Sequence, residues 1–133
     1  MIKKLLWMPL ILIAWLAVPA GASATDIAIL YSIDSSESDG DMAQGTMTVT
    51  VFNETGWPVR NLDLRLDLGA GNVVARGVLQ FGFVEAGDGA TASGDFRLEQ
   101  ILLDESDSLP WRVDFDDLLG NHVSLDVQAI RAN

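Results

Sequence analysis

Residues that can do chemistry are few in this chain, and most of them are carboxylates. Two acidic groups stand close in sequence. Asp34, Glu37, Asp39 and Asp41 fall within the polar run Asp34-Ser-Ser-Glu-Ser-Asp-Gly-Asp41. Asp104, Glu105 and Asp107 precede a segment that carries Asp114, Asp116 and Asp117. Carboxylate oxygens are hard ligands that suit Ca²⁺, which takes six to eight of them. Neither spacing matches the twelve-residue helix-loop-helix calcium pattern. A solvated, mobile loop accounts for the first group without any ion, and that simpler account is the one adopted, with Ca²⁺ at Asp34, Glu37, Asp39 and Asp41 kept as the alternative.

His122 is the only histidine and there is no cysteine. One imidazole without thiolates makes a poor zinc site. Thiolate metal centres, disulfides and cysteine nucleophiles are excluded. Ser124 lies two residues from His122, but no nucleophile-elbow sequence accompanies it, so a Ser-His-Asp centre is not expected. Gly69-Ala-Gly71 and Gly87-Asp-Gly89 open no helix and are turn punctuation, not phosphate loops. The chain therefore reads as a non-enzyme with no required cofactor. Trp57, in the Gly56-Trp-Pro58 turn, is open to two readings. It can anchor a partner or stack on a sugar, or it can fold back over one end of the core. Phe52 is the second partner-binding candidate. Tyr31, Phe52 and Trp57 are the only aromatics not committed elsewhere, too few for a convincing carbohydrate platform.

The elements that must carry these residues follow from periodicity. The start is not one of them: Lys3-Lys4, an apolar run from Leu5 to Val18 and the Ala22-Ser-Ala24 end form the three-part pattern of a secretory signal peptide over residues 1–24. The run is short for a membrane span and is interrupted by Pro9 and Pro19. The chain has 133 residues, 8 basic and 19 acidic, for a net charge of −11. Loss of Lys3 and Lys4 with the leader would make that −13. Such a balance disfavours nucleic acid and anionic lipid as partners. After cleavage the protein would not be embedded in a membrane, and its location would be periplasmic or extracellular.

Residues 25–133 alternate apolar and polar with a period of two, the strand signal. Candidate strands cover Asp26–Ile33, Gly45–Asn53, Asn61–Leu68, one or two short pieces within Val73–Val84 bent at Gly77 and Gly82, Thr91–Leu98, the Trp111–Asp116 region and His122–Ile130. Leu62, Leu64, Leu66 and Leu68 share one face of a strand, whereas a helix would scatter them. Gln100–Ser108 reads as a connection, with Ile101 and Leu102 plugging the core edge. About seven strands with one apolar face each suggest two antiparallel sheets packed as an immunoglobulin-like sandwich, with a small barrel as the alternative.

The stretch Val49-Thr-Val-Phe-Asn-Glu-Thr-Gly56, with Pro58-Val-Arg-Asn-Leu-Asp-Leu64, resembles a hairpin of bacterial extracellular Ig-like domains of the CARDB-like type. Phe81-Gly-Phe-Val-Glu-Ala-Gly87 and Ala90-Thr-Ala-Ser-Gly-Asp-Phe96 are similar to a later segment of the same family. The likeness covers about residues 49–98 and implies a β-sandwich with no chemistry of its own. It implies an exported binding or assembly module with a protein partner in the cell envelope. A calcium-dependent adhesion or carbohydrate-binding domain, and a small secreted enzyme or inhibitor, are the alternatives. Strand addition at an exposed sheet edge is a mechanism that fits, with Arg60, Arg65 and Arg76 near edge or outer-face positions.

Overall fold

The computed structural model describes residues 26–66, 68, 69 and 71–133. The expected leader, residues 1–24, lies outside them. The described chain is all-β apart from one short helix and one 3-10 turn. In order it runs β1 (Ile27–Asp39), β2 (Met42–Asn53), β3 (Val59–Leu66), β4 (Val73–Val74), a 3-10 turn (Ala75–Gly77), β5 (Leu79–Val84), β6 (Gly89–Glu99), α1 (Gln100–Glu105), β7 (Ser108–Asp116) and β8 (His122–Arg131). No helix among the described residues is long and apolar enough to cross a membrane.

The strands form one eight-stranded sheet in the order β4-β6-β2-β1-β8-β7-β3-β5. The expected all-β class is borne out, with eight strands where about seven were expected and all of them in one continuous sheet. Every ladder is antiparallel except β1 with β8, which is parallel and contains only the pairs Leu30–Ile130 and Tyr31–Arg131. The inward residues of all eight strands meet in a single core, so the sheet curls over until it nearly closes on itself. Alternation sets which residues enter. Ile27, Ile29 and Tyr31 of β1, Met47, Val49 and Val51 of β2, and Trp111, Val113 and Phe115 of β7 are all buried. The leucine ladder of β3 behaves as its period demands: Leu62 and Leu64 are fully buried, with Leu66 and Leu68 packed against the same cluster. Outward threonines form a polar ladder in which Thr48 bonds Ser93 and Thr50 bonds Thr91, each at 3.1 Å.

Three local expectations change. Residues 34–41 are not a free loop. β1 and β2 continue as a hairpin to the pair Asp39–Met42, leaving Gly40 and Asp41 as a two-residue turn in which Gly40 supplies φ +66°. This extension is exposed on both sides, so it carries no apolar alternation, yet its backbone is laddered to β2. Asp34 is the extra residue of a β-bulge between Ile33 and Ser35, and its carboxylate accepts a 2.7 Å bond from the Thr48 hydroxyl. Residues 100–105 form a helical turn, so Leu103 is the residue buried against the core while Ile101 faces solvent. Tyr31 is 1% exposed and belongs to the core, not to any aromatic platform.

The β1–β8 seam is closed at one end only. Beyond the parallel pairs, Ala132 N–H donates to Tyr31 O at 2.7 Å. The Asn133 amide then takes the place of a strand partner, accepting from Ile33 N–H at 3.2 Å and donating to Ile33 O at 3.0 Å. Toward Asp26 and His122 no ladder joins the two strands among the described residues.

Candidate functional site

The open end of the seam is an apolar cleft of about 610 Å³. Strand β8 supplies one wall through Val123 and Leu125. Asp26 enters from just before β1, Phe115 from β7, Asp117, Leu118 and Leu119 from the β7–β8 turn, Thr55, Trp57 and Pro58 from the β2–β3 turn, and Val59 from the start of β3. Large apolar side chains stand in water at its rim: Trp57 is 62%, Leu118 52% and Leu119 85% exposed.

Two polar devices hold the rim in place. Asn53 is the one buried polar residue among the described residues, and its amide is fully used. Its Nδ2 donates to Trp57 O (2.7 Å) and Val84 O (3.0 Å), and its Oδ1 accepts from Thr55 N–H (3.0 Å) and Thr55 Oγ1–H (2.7 Å). Thr55 Oγ1 also accepts from Trp57 N–H at 3.1 Å. These bonds shape the Asn53-Glu-Thr-Gly-Trp57 turn and hold its backbone, so the indole does not fold back over the core. On the other side, Asp117 Oδ1 accepts from the N–H groups of Leu119 (2.9 Å) and Asn121 (2.8 Å), fixing the turn that presents Leu118 and Leu119.

The backbone edge of β8 borders the cleft. Arg131 N–H donates to Asp107 O at 2.8 Å while Ala132 N–H donates to Tyr31 O, on the opposite side. Successive residues of a strand aim their amides at opposite edges. Even-numbered residues of β8 therefore direct N–H and C=O toward β1, and below Ile130 no ladder meets them among the described residues. Among the described residues, Ser124, Asp126 and Gln128 form an unpaired edge. Asp26 and Glu54 meet at the mouth, where Glu54 N–H donates to Asp26 O at 2.7 Å. Partial burial raises the Asp26 carboxyl above its ordinary range. Partial burial and the nearby Asp26 raise Glu54 likewise.

The structure separates most of the residues singled out in the sequence. Trp57 lines the cleft, whereas Phe52 points outward from β2 near Ala28 and does not line it. Asp34, Glu37, Asp39 and Asp41 are spread along the β1–β2 hairpin, and Asp39 is bound to Arg97 at 2.8 Å. No group of three or more acidic or histidine side chains is disposed to hold a metal ion among the described residues. Asp104 and Glu105 lie on α1, apart from Asp114 and Asp116 on β7. Arg60, Arg65 and Arg76 are all exposed.

His122, Ser124, Asp114 and Asp116 do meet, on the outer face of β7 and β8. Ser124 donates to Asp114 rather than to the histidine. Both imidazole nitrogens face carboxylates, Nε2 to Asp114 and Nδ1 to Asp116, each at 3.3 Å. No nitrogen is left to activate the serine, and the group lies outside the cleft. The Asn61 amide first, and His122 second, hold Asp116 below the usual carboxylate range. Sequence reading did not single out Leu118, Leu119, Asn53 or Asp26 as site residues. Leu118-Leu119 inside an otherwise polar turn was the signal available.

No family model matches the chain, and no curated protein does. Among solved structures it is similar to a GH20 exo-β-N-acetylglucosaminidase from Vibrio harveyi at 10% identity and TM-score 0.47, over 78% of this chain and 18% of that one. It is also similar to a FixG-related protein from Vibrio parahaemolyticus (13% identity, TM-score 0.37, 81% and 98% covered). A third likeness is to a PapD-like domain of human CEP192 (12%, TM-score 0.37, 94% and 99%). The chain thus spans under a fifth of the Vibrio harveyi enzyme. All three TM-scores are below 0.5, and these likenesses carry no argument about activity.

Proposed function

We propose that the chain is an exported, non-catalytic immunoglobulin-like module that binds a protein partner in the cell envelope by strand addition at β8. Several observations support the immunoglobulin-like reading. The sheet order divides at the short parallel seam into halves β4-β6-β2-β1 and β8-β7-β3-β5, whose apolar faces share one core. The CARDB-like resemblance over residues 49–98 points the same way, and the signal-peptide pattern of residues 1–24 supports export.

The observation that carries the binding role is the apolar cleft beside the unpaired edge of β8. An edge offers main-chain donors and acceptors, and a cleft beside it offers a pocket for alternate side chains, which together are the requirements for capturing an extended segment. Exposed tryptophan is a typical interface anchor, and the exposed leucines beside it extend the apolar patch. The occupied imidazole nitrogens argue against hydrolytic use of His122. The hairpin placement of residues 34–41 weakens the calcium reading.

A photo-reactive amino acid placed at Leu119 in living cells tests the proposal, with Arg65 on the outer face as the control position. Adducts with a discrete envelope protein are expected from position 119 alone. They should vanish in D126P, which removes an edge donor, and persist in D126A, which loses the same 2.9 Å ion pair with Arg112 of β7 but keeps the donor. Equal adducts from both positions, or none from 119, would refute it.

A further inference from the structure

We propose that Asp88-Gly89 is a self-modification site, at which the Gly89 amide nitrogen attacks the Asp88 side chain and converts Asp88 to isoaspartate. The sequence holds two Asp-Gly pairs, Asp39-Gly40 and Asp88-Gly89. Glycine has no side chain to shield its nitrogen, so both pairs are open to this chemistry in an unfolded chain. The fold treats them differently. Gly89 N–H donates to Asp88 Oδ1 at 2.9 Å, so the carboxyl group is folded back over the nitrogen that must attack it. Both residues are exposed, and solvent reaches them. The main chain of Asp88 is held as well: its N–H donates to Glu85 O at 3.1 Å, and its C=O accepts from Asn53 N–H at 2.9 Å. Asp39, by contrast, gives its carboxylate to the Arg97 guanidinium at 2.8 Å. That ion pair must break before a ring can close at Asp39.

The reaction balances with water alone. Starting from the neutral carboxylic acid, the Gly89 nitrogen bonds to Asp88 Cγ, and its proton leaves with the carboxyl hydroxyl as water. The succinimide ring then takes water back at either carbonyl. Opening at Cγ restores aspartate. Opening at the former main-chain carbonyl leaves Gly89 attached through Cγ. The main chain has then gained the Cβ methylene, and the oxygen that accepted from Asn53 N–H belongs to a free carboxylate beside it. Asn53 is tied to the same turn a second time, since its C=O accepts from Gly87 N–H at 2.8 Å, and its side chain holds the Trp57 carbonyl. Isomerisation at Asp88 therefore loosens the rim of the cleft from the β5–β6 turn, whatever the cleft binds.

The test ages the purified chain below its Tm in mildly acidic buffer, which favours the reactive carboxylic acid. Peptide mapping with electron-transfer fragmentation then distinguishes aspartate from isoaspartate at each position. Isoaspartate at 88 should accumulate at least about fivefold faster than at 39, the worth of a good exposed ion pair. D88E, whose longer side chain cannot close the same ring, should form none at 88. In urea, where the fold no longer positions either side chain, the two sites should react alike. Ageing should also lower the Tm of the original chain by about 4 °C, for the one bond lost to Asn53, and leave that of D88E unchanged. Equal rates at 39 and 88 in the folded chain, or a preference for 88 that persists in urea, would overturn the proposal. An aged chain rich in isoaspartate with an unchanged Tm would overturn the loosening of the rim.

Discussion

Asn53 is where the fold and the cleft are most tightly joined, and replacing it tests both. Asn53→Ala removes four hydrogen bonds, two donated by Nδ2 and two accepted by Oδ1. Each such bond contributes about 1 kcal/mol net, and leaving the buried Val84 carbonyl unpaired adds to the loss. Those around Thr55 are partly open to water and count for less. The sum is about 2–4 kcal/mol, which for a domain of this size lowers Tm by more than about 10 °C. Asn53→Asp is the sharper test. It keeps the acceptor for Thr55 but turns a carboxylate oxygen toward the carbonyls of Val84 and Trp57, so it should be at least as destabilising as alanine at neutral pH. Urea unfolding followed by far-ultraviolet circular dichroism measures the stability. Acrylamide quenching reports on the turn, since Trp57 is exposed and Trp111 is 1% exposed; quenching should rise in the folded variant as the turn loosens. A loss under about 1 kcal/mol for alanine, or an aspartate variant as stable as the original, would refute the role assigned to this amide.

Other perturbations probe the remaining parts. Burial raises Asp26 and Glu54, so the folded state holds their protons more tightly than the unfolded one; their destabilising effect is fully present above the folded pKa and fades as pH falls through it. D26N/E54Q should therefore raise Tm at pH 7, with the gain shrinking on acidification through the carboxylate range, as differential scanning fluorimetry across pH would show. Gly45→Ala would put a Cβ onto the Ser35 carbonyl at the bulge of β1, and the ladder there can relieve it only by breaking; a loss of at least ~3 kcal/mol in urea unfolding is expected, comparable to severe overpacking. The buried Trp111 indole N–H has no hydrogen-bond partner among the described residues. Trp111→Phe trades lost volume against an orphaned donor and should cost about 1 kcal/mol or less, whereas Trp111→Ala should cost about 3–5 kcal/mol in the same assay.

Period-two patterning was enough to place the core. The leucines of β3, the Trp111-Val-Phe ladder of β7 and the Val127-Ala129 pair of β8 all enter as alternation requires. Alternation has no purchase where neither face is buried, which is why the arm of β1 from Asp34 to Asp39 read as a loop although Gly40-Asp41 is a hairpin turn signal. A six-residue helical turn is likewise too short for a 3.6-residue period to show, and Leu103 rather than its neighbours reached the core. The site was harder still. Trp57 was visible as a turn tryptophan, but whether it would face in or out depended on Asn53, whose four partners lie at residues 55, 57 and 84. No local pattern encodes that convergence.

The cleft itself is a consequence of how a curled mixed sheet ends. β1 pairs along its whole length with β2, from Ile27 to Asp39, but meets its parallel partner β8 at only two positions. At the Asn133 end a side-chain amide completes the seam. At the Asp26 end no such group is supplied among the described residues, and Val123 and Leu125 are half-buried where Val127 and Ala129 are covered. A sheet whose inner residues are apolar right up to an unpaired edge exposes a surface that a further strand would bury. The net charge of −11 works against association of copies of the chain, and so counters the aggregation that such an edge would promote in a neutral protein.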